Sequence, residues 1–176
     1  IAIFLIAFST LAAEIVLSRL FSVITYYYLA FFALSTAMLG MTAGAVTVYI
    51  KETLFSEIRI YKTLAAVSLL YAISLPVAAI AVCIIPVGVD MSLQKIISFI
   101  FVTFFCSLPF YFSGIIISSL LTKVKLHINR MYAIDLFGAA LGCLGVLAGL
   151  ELLDAVSFLF ILSLPGFITA YLLNSK

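Results

Sequence analysis

The chain has 176 residues, of which 66% are hydrophobic and 9% charged, with a formal net charge of +2 and a mean hydropathy of +1.39. Soluble domains carry roughly 25% charged residues, so this composition leaves no support for soluble catalysis or nucleic-acid binding and indicates an integral membrane protein. Its long apolar runs also lack the short alternating segments of an outer-membrane barrel.

A bilayer core of about 30 Å needs about 20 helical residues. The apolar runs therefore predict an all-α polytopic bundle of six spans, near residues 1–21, 26–50, 61–86, 91–121, 131–153 and 155–173, in a single transmembrane domain. The chain opens at Ile1 inside an apolar run, with neither Met nor a basic leader, so its natural beginning is expected to lie further upstream. The small pair Ala12 and Ala13 would suit a cleaved signal peptide, but the acid Glu14 and the close second span argue against one.

In the first span Ala7, Thr10, Glu14 and Ser18 form one stripe. A carboxylate at the centre of a span costs at least about 2.5 kcal/mol against lipid, so Glu14 is expected to face the bundle and bond to a neighbouring helix. Arg19 projects about 140° away around the helix and can snorkel toward the near interface. Helical partners are spaced by three or four residues, so Glu14 and Arg19 are poorly placed for a direct pair. Tyr26, Tyr27 and Tyr28 follow at interface depth as an aromatic belt.

The second span carries Ala33, Ala37, Gly40, Gly44 and Thr47 along one face, a small-residue groove suited to close helix packing. Residues 51–62 read as a short interfacial helix with Leu54, Phe55, Ile58 and Tyr61 on its apolar side. Pro76 should kink the third span, with neighbours re-satisfying the freed carbonyl. Asp90 or Ser92 can cap the fourth. That span holds Pro109, Ser113, Gly114, Ser118 and Ser119, polar enough to meet other helices or a water-filled cavity.

The fifth span has the most concentrated pattern. At 100° per residue Asp135, Gly138, Gly142, Gly145 and Gly149 fall within a stripe about 80° wide. Such glycines would each cost about 1 kcal/mol in a soluble helix, whereas between membrane helices they admit a neighbouring backbone. Asp154 is placed to cap the sixth span, which Pro165 and Gly166 should bend. Small grooves in spans two and five, with an odd number of spans per half, have the form of a 3+3 inverted repeat.

Seven basic residues fall on one side of these spans (Lys51, Arg59, Lys62, Lys123, Lys125, Arg130, Lys176) and two on the other (Arg19, Lys95). The positive-inside rule then predicts cytoplasmic termini. The expected location is the cytoplasmic membrane of a bacterium or archaeon. The cluster around His127 is a topology determinant or a lipid head-group contact. A single loop histidine builds neither a haem nor a zinc site. Cys83, Cys106 and Cys143 sit in separate spans, without CxxC spacing, and read as packing residues. No cofactor or metal is expected.

Residues 13–23 (AEIVLSRLFSV), 30–44 (AFFALSTAMLGMTAG) and 129–142 (NRMYAIDLFGAALG) resemble the membrane region of the spermidine synthase-like, polyamine aminopropyltransferase-like integral membrane proteins. Glu14, Arg19, Gly40, Gly44, Arg130, Tyr132, Asp135, Gly138 and Gly142 occupy the positions that carry the likeness. The resemblance covers most of the chain. It implies a helical region joined to a cytoplasmic aminopropyltransferase- or methyltransferase-like domain. That family's catalytic acid and nucleoside motif map onto no residue here, and no glycine-rich strand-to-helix loop is present. Either a catalytic domain lies beyond Lys176 or this is a membrane-only relative. The expected partners are the bilayer together with a transferase domain or the subunits of a larger membrane complex. Three functions remain open: an anchor or scaffold for a transferase domain, a structural subunit, and a small-cation or polyamine conduit using Glu14, Asp135 and the outer acids Asp90, Glu151 and Asp154. On their span positions Glu14 and Asp135 lie at different depths and cannot form one compact site.

Overall fold

A computed structural model describes residues 1–25, 30–51, 55, 60–85, 93–124 and 128–175, and among these no residue lies in a strand. The helices are α1 (Ala2–Thr25), α2 (Ala30–Ile50), α3 (Ile60–Ile84), α4 (Leu93–Thr122), α5 (Ile128–Leu152), α6 (Ala155–Ile161) and α7 (Leu164–Asn174). Taking α6 and α7 as one span, six helical segments are long and apolar enough to cross a membrane. The chain is an integral membrane helix bundle. Lys62, Lys123 and Arg130 mark its basic end, and Glu151 and Asp154 its acidic end. The aromatic run at Tyr26–28, the caps at Asp90 and Ser92, and His127 lie outside the described residues, as does most of the connector 51–62.

Small residues decide which helices touch. A Cβ on Gly138 would stand 2.7 Å from the Phe4 carbonyl oxygen, and one on Gly142 would stand 2.5 Å from that of Phe8, so α5 lies against the backbone of α1. On the other side of the bundle a Cβ on Gly40 would stand 2.7 Å from the Ser107 carbonyl oxygen, while Gly44 abuts the Tyr111 carbonyl and Gly114 the backbone of Met41. In both pairs glycines four apart meet carbonyls four apart in ascending order, so α1 with α5 and α2 with α4 run parallel. Membrane helices gain little from burying apolar surface against each other rather than against lipid; backbone approach and dispersion select the partners instead.

The core runs through α1, α3, α4 and the last span, around Ile6, Leu17, Leu64, Leu75, Phe110 and Leu159. Gly166 lets α7 reach α3, where its Cβ would stand 2.9 Å from both Ala72 Cβ and the Tyr71 ring. α3 continues through Pro76 as one helix. The bend expected at Pro165 falls at a short interruption: α6 ends at Ile161, Leu162 and Ser163 keep right-handed helical backbone angles, and Pro165 occupies the first turn of α7, where its missing N–H costs nothing. Asp154 has the extended backbone of an N-cap, but its side chain makes no capping hydrogen bond.

Candidate functional site

The glycine stripe of α5 serves two partners. Gly138 and Gly142 touch the α1 backbone, but at Gly145 the ring of Phe8 stands between the helices, its Cζ 2.9 Å from where a Cβ would be. Beyond it Gly149 packs on the ring of Phe158 in α6. The helix therefore leaves α1 above Phe8. A lateral groove of about 500 Å³ opens there, lined on α1 by Glu14, Ser18, Arg19 and Ser22 and closed by Leu34 of α2 and Cys143 of α5.

Glu14 departs from expectation. Ala7 and Thr10 of its stripe are buried, but Glu14 and Ser18 are only half-buried and line this groove. The reason is level along the helix: Ala7, on the same side of α1, is covered by α5 at Gly138, whereas α5 has moved off α1 beyond Phe8 and leaves Glu14 beside the groove. It makes no hydrogen bond to any described residue, so the expected bond to a neighbouring helix is not formed. Arg19 is exposed, and the two form no ion pair, as their spacing of five predicts.

Asp135 is half-buried on α5, with its Oδ1 enclosed and without a hydrogen-bond partner among the described residues. The register that sets Gly138 against Phe4 and Gly142 against Phe8 puts Asp135 level with Ile1. Glu14 is then about 20 Å further along the same pair at 1.5 Å per residue, so the two acids share no site.

Among the described residues the fully buried polar side chains are hydroxyls, of which the sequence reading named Thr10, Ser113 and Ser119 but not Tyr71, Ser9, Ser68 or Thr169. Tyr71 is fully buried, 2.7 Å from Ser9 Oγ and 3.3 Å from Thr10 Oγ1. Ser9 spends its one proton on the Ile6 carbonyl oxygen at 3.2 Å, so Tyr71 donates to Ser9 and accepts from Thr10. The available signal was a tyrosine amid an apolar span with Ser and Thr in another. Ser68, Ser119 and Thr169 are fully buried with hydroxyls that have no partner among the described residues. At the basic end a cavity of about 280 Å³ opens between Ala2, Tyr61, Leu120, Met131 and Leu173, with no ionisable side chain in its wall besides the Tyr61 phenol.

No group of three or more metal-ligating side chains occurs among the described residues. The cysteines are free, Cys106 buried and Cys83 and Cys143 exposed. These features define a polytopic membrane protein in which, among the described residues, the fully buried polar side chains are uncharged and the two acids within spans, Glu14 and Asp135, are half-buried. No family model matches the chain, and neither does any curated protein or solved structure.

Proposed function

We propose that the chain is the membrane-embedded anchor and scaffold of a protein like the spermidine synthase-like membrane proteins, holding a cytoplasmic transferase domain at the bilayer. One observation carries this reading against a cation conduit. Glu14 and Asp135 are about 20 Å apart along the α1–α5 pair and only half-buried, while the fully buried Ser, Thr and Tyr side chains among the described residues are uncharged hydroxyls. A path for a cation or polyamine needs anionic stations in line, and these are absent among the described residues. Backbone-to-backbone packing of α1 on α5 and α2 on α4 suits a rigid support.

Both termini are assigned to the cytoplasm from the basic loops, in a bacterial or archaeal inner membrane. An inverted repeat relating α1, α2 and α3 to α4, α5 and the last span belongs to the same proposal. It is supported by the exchange that turns the α1–α5 pair into the α4–α2 pair, each with glycines four apart set on carbonyls four apart. A second reading, a structural subunit of a larger complex, is favoured by α5 itself. Its buried residues are Gly138, Gly142 and Val146, which leaves Leu136, Leu144 and Leu147 to lipid or a partner.

Affinity purification from native membranes tests the anchor. An aminopropyl- or methyltransferase-type domain is expected in the same polypeptide or as a bound partner. Purification without any such domain, together with saturable spermidine flux in proteoliposomes that Glu14→Gln abolishes, overturns it.

A further inference from the structure

The lateral groove on α1 opens where α5 diverges from it. The ring of Phe8 stands between the two helices at Gly145, Gly149 packs α5 onto Phe158, and Leu34 of α2 closes the other side. Along α1 the groove runs from Ser22 to Leu11, about 16 Å at 1.5 Å per residue. That is about half of a 30 Å hydrocarbon core, the depth of the acyl chains of one leaflet. Leu11, Ile15 and Leu34 make its deeper wall apolar, a surface for one hydrocarbon chain.

Hydrogen-bond donors gather at its outer end, and none of them is used within the bundle. Serine hydroxyls in these helices commonly donate to a carbonyl three or four residues back, as those of Ser35, Ser74 and Ser113 do. Ser18 and Ser22 line the groove without a hydrogen bond to any described residue. Arg19 lies between them, exposed and with no ion pair to a described residue. Two hydroxyl protons and a guanidinium are thus set along about 6 Å of the helix axis. A guanidinium stays charged at any ordinary pH and binds phosphate oxygens through paired N–H donors. The ester carbonyls of a glycerophospholipid hang just below its phosphate and accept hydrogen bonds. Glu14 lies about 6 Å deeper than Ser18 and about 140° round the helix from Arg19, so neither contact draws on its protonation state.

We propose that this groove binds one two-chain glycerophospholipid from the leaflet at the acidic end. The phosphate rests on Arg19 and Ser22, and Ser18 donates to an ester carbonyl. One acyl chain lies along Leu11, Ile15 and Leu34, and the second stays in the bilayer, to which the groove is open.

Photolabelling tests this, with purified, delipidated protein in a maltoside detergent and rising phosphatidylglycerol that carries a diazirine midway along one acyl chain. Peptide mass spectrometry locates the label. The exposed face of α3 at Ile73, Val77 and Ile80 reports ordinary boundary lipid in the same protein. Saturable labelling of residues 11–15 and Leu34 is expected, against labelling of the α3 face that rises in proportion to lipid. Arg19→Gln should weaken the groove about tenfold, the loss of a charge-assisted bond, and leave the α3 face unchanged. The corresponding diacylglycerol, which has no phosphate, should label the groove no more than the α3 face. Ser18→Ala should weaken the ester-linked lipid and leave its ether-linked analogue unchanged. Unaltered melting temperatures establish that the variants are folded. Groove labelling that does not saturate, that ignores Arg19→Gln or that diacylglycerol matches overturns the proposal, and an equal effect of Ser18→Ala on both lipids overturns the ester contact.

Discussion

A Cβ on Gly142 would stand 2.5 Å from the carbonyl oxygen of Phe8, closer than carbon and oxygen pack without bonding. The obstacle is backbone, which has no rotamer to yield, so α1 and α5 must separate to admit any side chain. Gly142→Leu should therefore lower stability by more than the usual overpacking cost of about 1–3 kcal/mol. Leu147→Ile, on the exposed face of α5, should change it by less than about 0.5 kcal/mol. Thermal unfolding of both variants in the same detergent checks this, and equal midpoints would remove the backbone contact as the reason for the pairing.

The interior hydroxyls divide into bonded and unbonded sets, and substitution should separate them. Tyr71→Phe deletes a buried bond to Ser9 and leaves Thr10 without its acceptor, which should cost about 1 kcal/mol. Ser68→Ala removes a buried hydroxyl that has no partner among the described residues, so stability should stay level or rise. Denaturation of the two variants side by side reads the difference. A larger loss at Ser68 than at Tyr71 would reverse the assignment.

Glu14 lies at the flank of the buried face and bonds to no described residue, so its charge does not hold the bundle together. Glu14→Leu should leave the melting temperature in detergent unchanged or raised, since an apolar side chain suits that depth better. A fall comparable to that of Gly142→Leu would mean that Glu14 has a structural partner.

The proposed orientation rests on the basic loops, and Lys62 gives an exposed position from which to test it. In a variant whose native cysteines are replaced, Lys62→Cys should resist a membrane-impermeant maleimide applied to intact cells and react after lysis. Reaction in intact cells would place this end outside.

Fold class was legible because hydropathy runs of span length report burial in lipid without any tertiary information, as residues 60–84 and 128–152 illustrate. The pairing partners were not. A glycine face on α5 announces that something will approach closely, but at Gly138 and Gly142 Phe4 and Phe8 present backbone atoms to it, which any helix could supply. The orientation of Glu14 failed for a related reason. A stripe of Ala7, Thr10, Glu14 and Ser18 fixes which residues share a side of α1, yet how far along that side a neighbour covers it is set by the path of α5, which leaves α1 beyond Phe8.

What the sequence determined by itself is a membrane bundle with close-packing faces on Gly40 and Gly44 and on Gly138 and Gly142, because span length and small-residue spacing are local properties of a helix. Tertiary structure alone decided that these faces meet α4 and α1, that Phe8 opens a groove beside Glu14 and Arg19, and that Tyr71 joins Ser9 and Thr10. Those outcomes depend on helix rotation and register. Both are fixed by packing summed over all the helices at once, and no single span encodes that sum.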